Sequence, residues 1–168
     1  MHFHWGDSSG KKGSEHTLYG KQFDAELHFV HYNTKCGRDL TEALTNCQGH
    51  DTLAVLGVFI DAHGHNDNKA FESIFDSMKD IVNESPQKQE IKTFDMTKLM
   101  PHDLNEFYRY EGSLTTPKCN EVVTWTIFKA SFVHYTVSET KRETKRSKSV
   151  VLAQYNFVTL DIFISAAH

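Results

Sequence analysis

Hydrophobic and polar positions along the chain fall into two periods, and the shorter one dominates. His2–Trp5 and residues 24–32 alternate or run apolar in the manner of strands. The Gly/Ser/Lys-rich stretch from Ser8 to Ser14 between them reads as a turn, which predicts two neighbouring antiparallel strands or a hairpin. Leu53 to Ile60 (LAVLGVFI) is an unbroken apolar run of strand length, the pattern of a strand covered on both faces. Val122 to Phe128 reads as another strong strand, and Leu99 to Leu104 as a loop around Pro101. The period changes over residues 69–82, where Phe71, Ile74, Phe75, Met78, Ile81 and Val82 recur at steps of three and four. That spacing predicts an amphipathic helix, with Asn66 or Asp67 near its cap. From Ser138 onward a basic cluster (Lys141, Arg142, Lys145, Arg146, Lys148) precedes an apolar stretch from Val150 to Ile164. The cluster reads as a solvated face rather than a binding patch.

Composition narrows the class of protein. A chain of 168 residues suffices for one domain. A formal net charge of -4 gives no reason to expect nucleic acid or anionic membrane as a partner. No apolar run approaches the ~18 residues of a membrane span, and no signal peptide is visible. Met1 is followed at once by what reads as the inside of a strand, so the sequence is expected to be a fragment of a longer domain. Cys36, Cys47 and Cys119 form no C-x-x-C pair, which argues against zinc-ribbon and thioredoxin-like folds. The odd count leaves open a secreted protein lacking one partner cysteine and a protein with unpaired buried thiols. Asn83-Glu84-Ser85 is a possible glycosylation sequon, weakened by Pro86.

Eleven histidines change the picture only where their spacing is informative. His2 and His4, two apart on a strand, point to the same side and can reach one ion. In the second strand Glu26, His28 and Val30 share one face, while Leu27, Phe29 and His31 share the other. If the two strands pair, His28 completes a three-histidine set. Three neutral imidazoles with an open fourth position are the donor set of a catalytic zinc site. Glu26 can then hold the ring N–H of a ligand histidine and fix its tautomer.

His2-Phe-His-Trp-Gly6, Gly13-Ser-Glu-His-Thr17, Ala25-Glu-Leu-His-Phe-Val-His31, Leu53-Ala-Val-Leu-Gly57 and Gly112-Ser-Leu-Thr-Thr-Pro117 together resemble the α-class carbonic anhydrases, in that family's order and at similar intervals. The resemblance implies a mainly β fold with short helices: a twisted, largely antiparallel central sheet, incomplete at the N-terminus. It covers residues 1–137 as a partial catalytic domain, and residues 138–168 depart from it as an atypical tail. It implies Zn2+ on His2, His4 and His28, and reversible hydration of carbon dioxide to bicarbonate and a proton by zinc-bound hydroxide. Glu15 and Thr115 match the family's paired acid and threonine. Ionised Glu15 would accept the Thr115 hydroxyl hydrogen, so that Thr115 accepts from the hydroxide and orients it toward CO2. Thr116 matches a residue that contacts bicarbonate, and Val30, Val55, Leu114, Val123 and Trp125 match the apolar wall of the CO2 pocket. Glu26, His16 and Tyr110 match buried hydrogen-bonding support. Sulfonamide and anion inhibitors are implied as ligands. Cys119 matches a position bridged in many extracellular members, which implies a secreted protein or one on the extracellular face of a membrane; Cys36 and Cys47 could bridge each other. The usual proton shuttle lies upstream of the matched region. The competing expectation is a carbonic-anhydrase-like interaction or matrix module without turnover, or an inactive fragment. The presence of His2, His4, His28, Glu15 and Thr115 together argues against the module.

Overall fold

The computed structural model describes residues 1–6, 11–61, 70–71, 74, 95–129 and 133–134. The described chain is mainly β, with strands β1 (His2–Trp5), β2 (Thr17–Leu18), β3 (Lys21–Gln22), β4 (Ala25–Tyr32), β5 (Leu53–Asp61), β6 (Phe107–Gly112), β7 (Val123–Phe128) and β8 (Val133–His134). Helix α1 (Leu40–Asn46) lies between β4 and β5, and a 3-10 turn covers Met96–Leu99. The strand order is β1-β4-β5-β7-β6, with β8 pairing β5 beyond the reach of β7. Pairing is antiparallel except between β5 and both β7 and β8.

Alternation along these strands builds a sheet with two unlike faces. One carries Phe3, Leu27, Phe29, Val58, Ile60 and Phe128, and Phe71, Ile74 and Leu99 cover it. The other carries Leu53, Val55, Phe59, Val123, Trp125 and Ile127, with Phe23 stacked on Phe59 at 4.3 Å. β5 feeds both clusters, as its continuous apolar run requires, although Ala54 is exposed near its start. Of the helix expected over residues 69–82, Ala70, Phe71 and Ile74 are helical, and Phe71 and Ile74 are fully buried. Burying each contributes about 1.5–3 kcal/mol. The rest of that segment, its cap at Asn66 or Asp67, the sequon, and the tail from Ser138 lie outside the described residues.

Three elements go beyond the sequence pattern. The β2–β3 hairpin occupies what alternation left blank between β1 and β4; its four strand residues are too few to show a period. α1 is also too short to show one, but its start is chemical: Asp39 caps it by accepting the Glu42 N–H at 2.8 Å. β6 has no buried face to pattern, being exposed from Phe107 to Glu111 at the end of the strand order. Cys36 and Cys47 are joined by a disulfide across α1, which resolves the alternatives the sequence left open for that pair. Cys119 is a free, exposed thiol.

Candidate metal centre

Strand register assembles the site. β1 and β4 pair so that His2 lies opposite His28 and His4 opposite Glu26. Partners in register share a face of the sheet, so both β1 histidines stand on the side that Glu26, His28 and Val30 occupy. The ring centroids of His2 and His4 lie 5.1 and 4.6 Å from that of His28. The three residues offer one ring nitrogen each, all within 4.8 Å of one another. His28 Nδ1 and His2 Nε2 face each other at 3.2 Å. His4 Nε2 is buried without a hydrogen-bond partner. Glu15 Oε2 lies 3.3 Å from that nitrogen but is not aligned to bond it.

A second set of contacts fixes His28 from behind. Glu26 is fully buried, and its Oε1 contacts both His28 Nε2 at 2.8 Å and His16 Nδ1 at 2.6 Å. Its Oε2 accepts the His16 backbone N–H at 2.8 Å. Burial opposes ionisation of Glu26, but the bonds from His16 and His28 outweigh it and hold the carboxyl well below the usual carboxylate range. An ionised carboxylate only accepts, so the protons sit on His28 Nε2 and His16 Nδ1. With its Nε2–H given to Glu26, His28 turns Nδ1 toward His2. His16 Nε2 then accepts the Tyr110 O–H at 2.5 Å. Burial, with Glu26 and Glu15 nearby, raises the Tyr110 hydroxyl to about 12.

Burial works against a charge on either β1 histidine. Burial, then the neighbouring His28 and His4, lower His2 to about 3, and burial followed by His28 lowers His4. These ring nitrogens converge, one of them is orphaned, and burial disfavours the charged form of both β1 histidines. That chemistry fits a divalent metal preferring imidazole, zinc among them. Among the described residues His16, Glu26 and His28 form a second metal-capable group. There, however, the hydrogen bonds already use the donor atoms.

The loop that delivers Glu15 and His16 is organised by Ser14, which ends the Gly/Ser/Lys-rich turn and stands in the Gly13–Thr17 motif without a role that the sequence assigns. Ser14 is buried; its hydroxyl donates to the His16 carbonyl at 2.7 Å and accepts the Phe23 N–H at 2.9 Å. Gly13 passes so close to β1 that an added Cβ would lie 1.9 Å from the Trp5 carbonyl carbon. Neither role has a signal in hydropathy.

The expected apolar wall lies on this face. Val30 is opposite Val55, and Val55 opposite Trp125. Val55, Val123 and Trp125 are buried in one cluster, with Val30 and Leu114 packed against it. The Trp125 ring lies 4.8 Å from both His28 and His16, and its Nε1–H donates to the Ser113 carbonyl at 3.0 Å. Thr115 and Thr116 are exposed in the turn after β6, which is closed by Leu114 N–H to Asn120 O at 2.9 Å and Cys119 N–H to Thr116 O at 3.0 Å. Among the described residues no hydrogen bond joins Glu15 to Thr115; the Glu15 carboxylate stands beside His4 and His28 instead.

A family model described as eukaryotic-type carbonic anhydrase matches residues 1–153. The chain is 40% identical over 129 residues to human carbonic anhydrase 12, covering 77% of this chain and 35% of the relative. It is 35% identical over 157 residues to bovine carbonic anhydrase 6, covering 93% of this chain and 46% of the relative. With the putative carbonic anhydrase 5 of Caenorhabditis elegans it shares 41% identity over 127 residues, 76% of this chain and 39% of the relative. The chain thus spans less than half the length of these relatives.

Proposed function

Because the chain belongs to the eukaryotic-type carbonic anhydrase family, we propose that it interconverts carbon dioxide and bicarbonate, with His2, His4 and His28 holding Zn2+. The observation that carries this reading is the convergence of three ring nitrogens, one of them orphaned, on a sheet face that continues into an apolar wall. When bound, zinc supplies Lewis acidity and makes water a nucleophile at neutral pH, as in carbonic anhydrases generally. Glu26 fixes the His28 tautomer by taking its Nε2–H, and His16 and Tyr110 hold Glu26 in turn. Val30, Val55, Leu114, Val123 and Trp125 give an uncharged gas an apolar place to wait and keep competing water away. Thr115 orients the attacking oxygen by accepting from it, which requires its own hydroxyl hydrogen to be taken by Glu15. Thr116 donates to the bicarbonate product. Anions and sulfonamides compete for the same position.

The Cys36–Cys47 bridge supports an oxidising compartment, and hence a secreted protein or an extracellular location. Among the described residues no helix is long and apolar enough to cross a membrane.

A second reading, a related module without turnover, draws on the absence of a Glu15–Thr115 bond among the described residues. Stopped-flow CO2 hydration, with zinc assayed on the same sample, separates the two. Sulfonamide-sensitive turnover with one zinc per chain supports the enzyme. Bound zinc without turnover supports the module, and a chain that retains no zinc refutes the metal assignment.

A further inference from the structure

Gly57 interrupts an otherwise apolar strand without any need for an unusual backbone, since its φ lies outside the left-handed region. Glycine weakens a strand interior, so its presence there calls for a positional reason such as a close approach. Register supplies one: Gly57 lies opposite His28 on β4 and opposite Ile127 on β7. A Cβ added at Gly57 would sit 2.5 Å from Ile127 Cδ1, 3.0 Å from Glu26 Oε1 and 3.9 Å from His28 Cδ2. These neighbours differ in how far they can give way. Ile127 Cδ1 is the end of a rotatable side chain. Glu26 Oε1 is pinned between His16 Nδ1 at 2.6 Å and His28 Nε2 at 2.8 Å, and the other carboxylate oxygen is tied to the His16 N–H. It cannot yield even a few tenths of an ångström without lengthening a bond that sets the orientation of His28.

We propose that Gly57 is a positioning residue, whose bare Cα makes the seat in which Glu26 fixes the tautomer and tilt of His28. The consequence for metal binding rests on the reading of His28 as a zinc ligand; the consequence for the ring does not.

The test uses the 168-residue chain in an Ile127→Val background, which removes Cδ1 and leaves Glu26 Oε1 as the one close neighbour of a new Cβ. Long-range 1H–15N spectra of the metal-free protein report the His28 tautomer. Ile127→Val alone should keep the proton on Nε2, and adding Gly57→Ala should give mixed tautomers or a shifted ring. Zinc affinity, measured by chelator competition, should fall about 10-fold in the double variant, the low end of what loss of an outer partner costs. A wild-type tautomer with unchanged zinc affinity in the double variant overturns the proposal and leaves Gly57 a packing residue. If the parent chain binds no zinc, the metal reading fails and the tautomer spectra alone decide. If Gly57→Ala prevents folding, adding Glu26→Asp withdraws the carboxylate by one methylene. With Glu26→Asp alone first shown to fold in the Ile127→Val background, recovery of the fold supports the contact and failure to recover refutes it.

Discussion

Replacing Glu26 by Gln changes almost nothing in shape and removes the charge on which the rear of the site depends. The wild-type carboxylate accepts three bonds, from the His16 N–H, His16 Nδ1–H and His28 Nε2–H, at 2.8, 2.6 and 2.8 Å. A glutamine has one accepting oxygen. If that oxygen faces the two rings, the amide NH2, itself buried, faces the His16 N–H, donor against donor. A buried donor left unsatisfied costs about 1–3 kcal/mol. The two ring bonds also lose charge assistance, and the difference between charged and neutral partners is about 1 kcal/mol each. Against this stands the relief of no longer burying a carboxylate, which burial alone disfavours. The net expectation is a loss of about 2–3 kcal/mol, a large share of the 5–15 kcal/mol typical of a domain. Denaturant unfolding of the metal-free chain at neutral pH, followed by tryptophan fluorescence, measures it. Chelator competition should show zinc affinity lower by about 10- to 100-fold. A Gln variant within about 0.5 kcal/mol of the parent, the usual spread of a neutral surface change, and with unaltered zinc affinity would refute the claim that the Glu26 charge organises the site.

Other perturbations probe separate parts. His28→Ala should abolish zinc retention on desalting, and stoichiometric zinc in that variant sinks the ligand assignment. Thr115→Ala should leave zinc content unchanged while CO2 hydration falls about 100-fold, the scale of a lost orienting contact; full activity excludes the orienting role. Cys36→Ser should destabilise by about 3 kcal/mol, from the chain entropy of a loop with a sequence separation of 11. The check is that reductant lowers the unfolding midpoint of the parent but not of the variant.

The sheet and its candidate ligands were legible because period-2 alternation reports which side chains share a face. That alone aligned Glu26, His28 and Val30, and placed His2 with His4. It could not show that β1 pairs β4 in the register that brings His2 opposite His28, because register is a tertiary choice made by both faces together. Ser14 and Gly57 stand inside the motifs that carry the resemblance, but their roles were not legible for a related reason: one is a small polar residue in a turn-like stretch, the other a gap in an apolar run. Each matters through what it touches, and hydropathy does not encode touch. β6 was invisible because its residues are exposed on an edge and carry no buried stripe. The resemblance to the family led to His16 and Tyr110, whose separation in sequence by 94 residues no local pattern could bridge.

The four-residue β1 has a consequence for mechanics. Among the described residues it pairs with β4 alone. His2 and His4 reach toward His28 across that seam, so an ion on the three rings would act as a rivet between β1 and β4. Peeling β1 away and releasing the ion would be one event. Amide exchange along His2–Trp5 would then slow in step with metal occupancy.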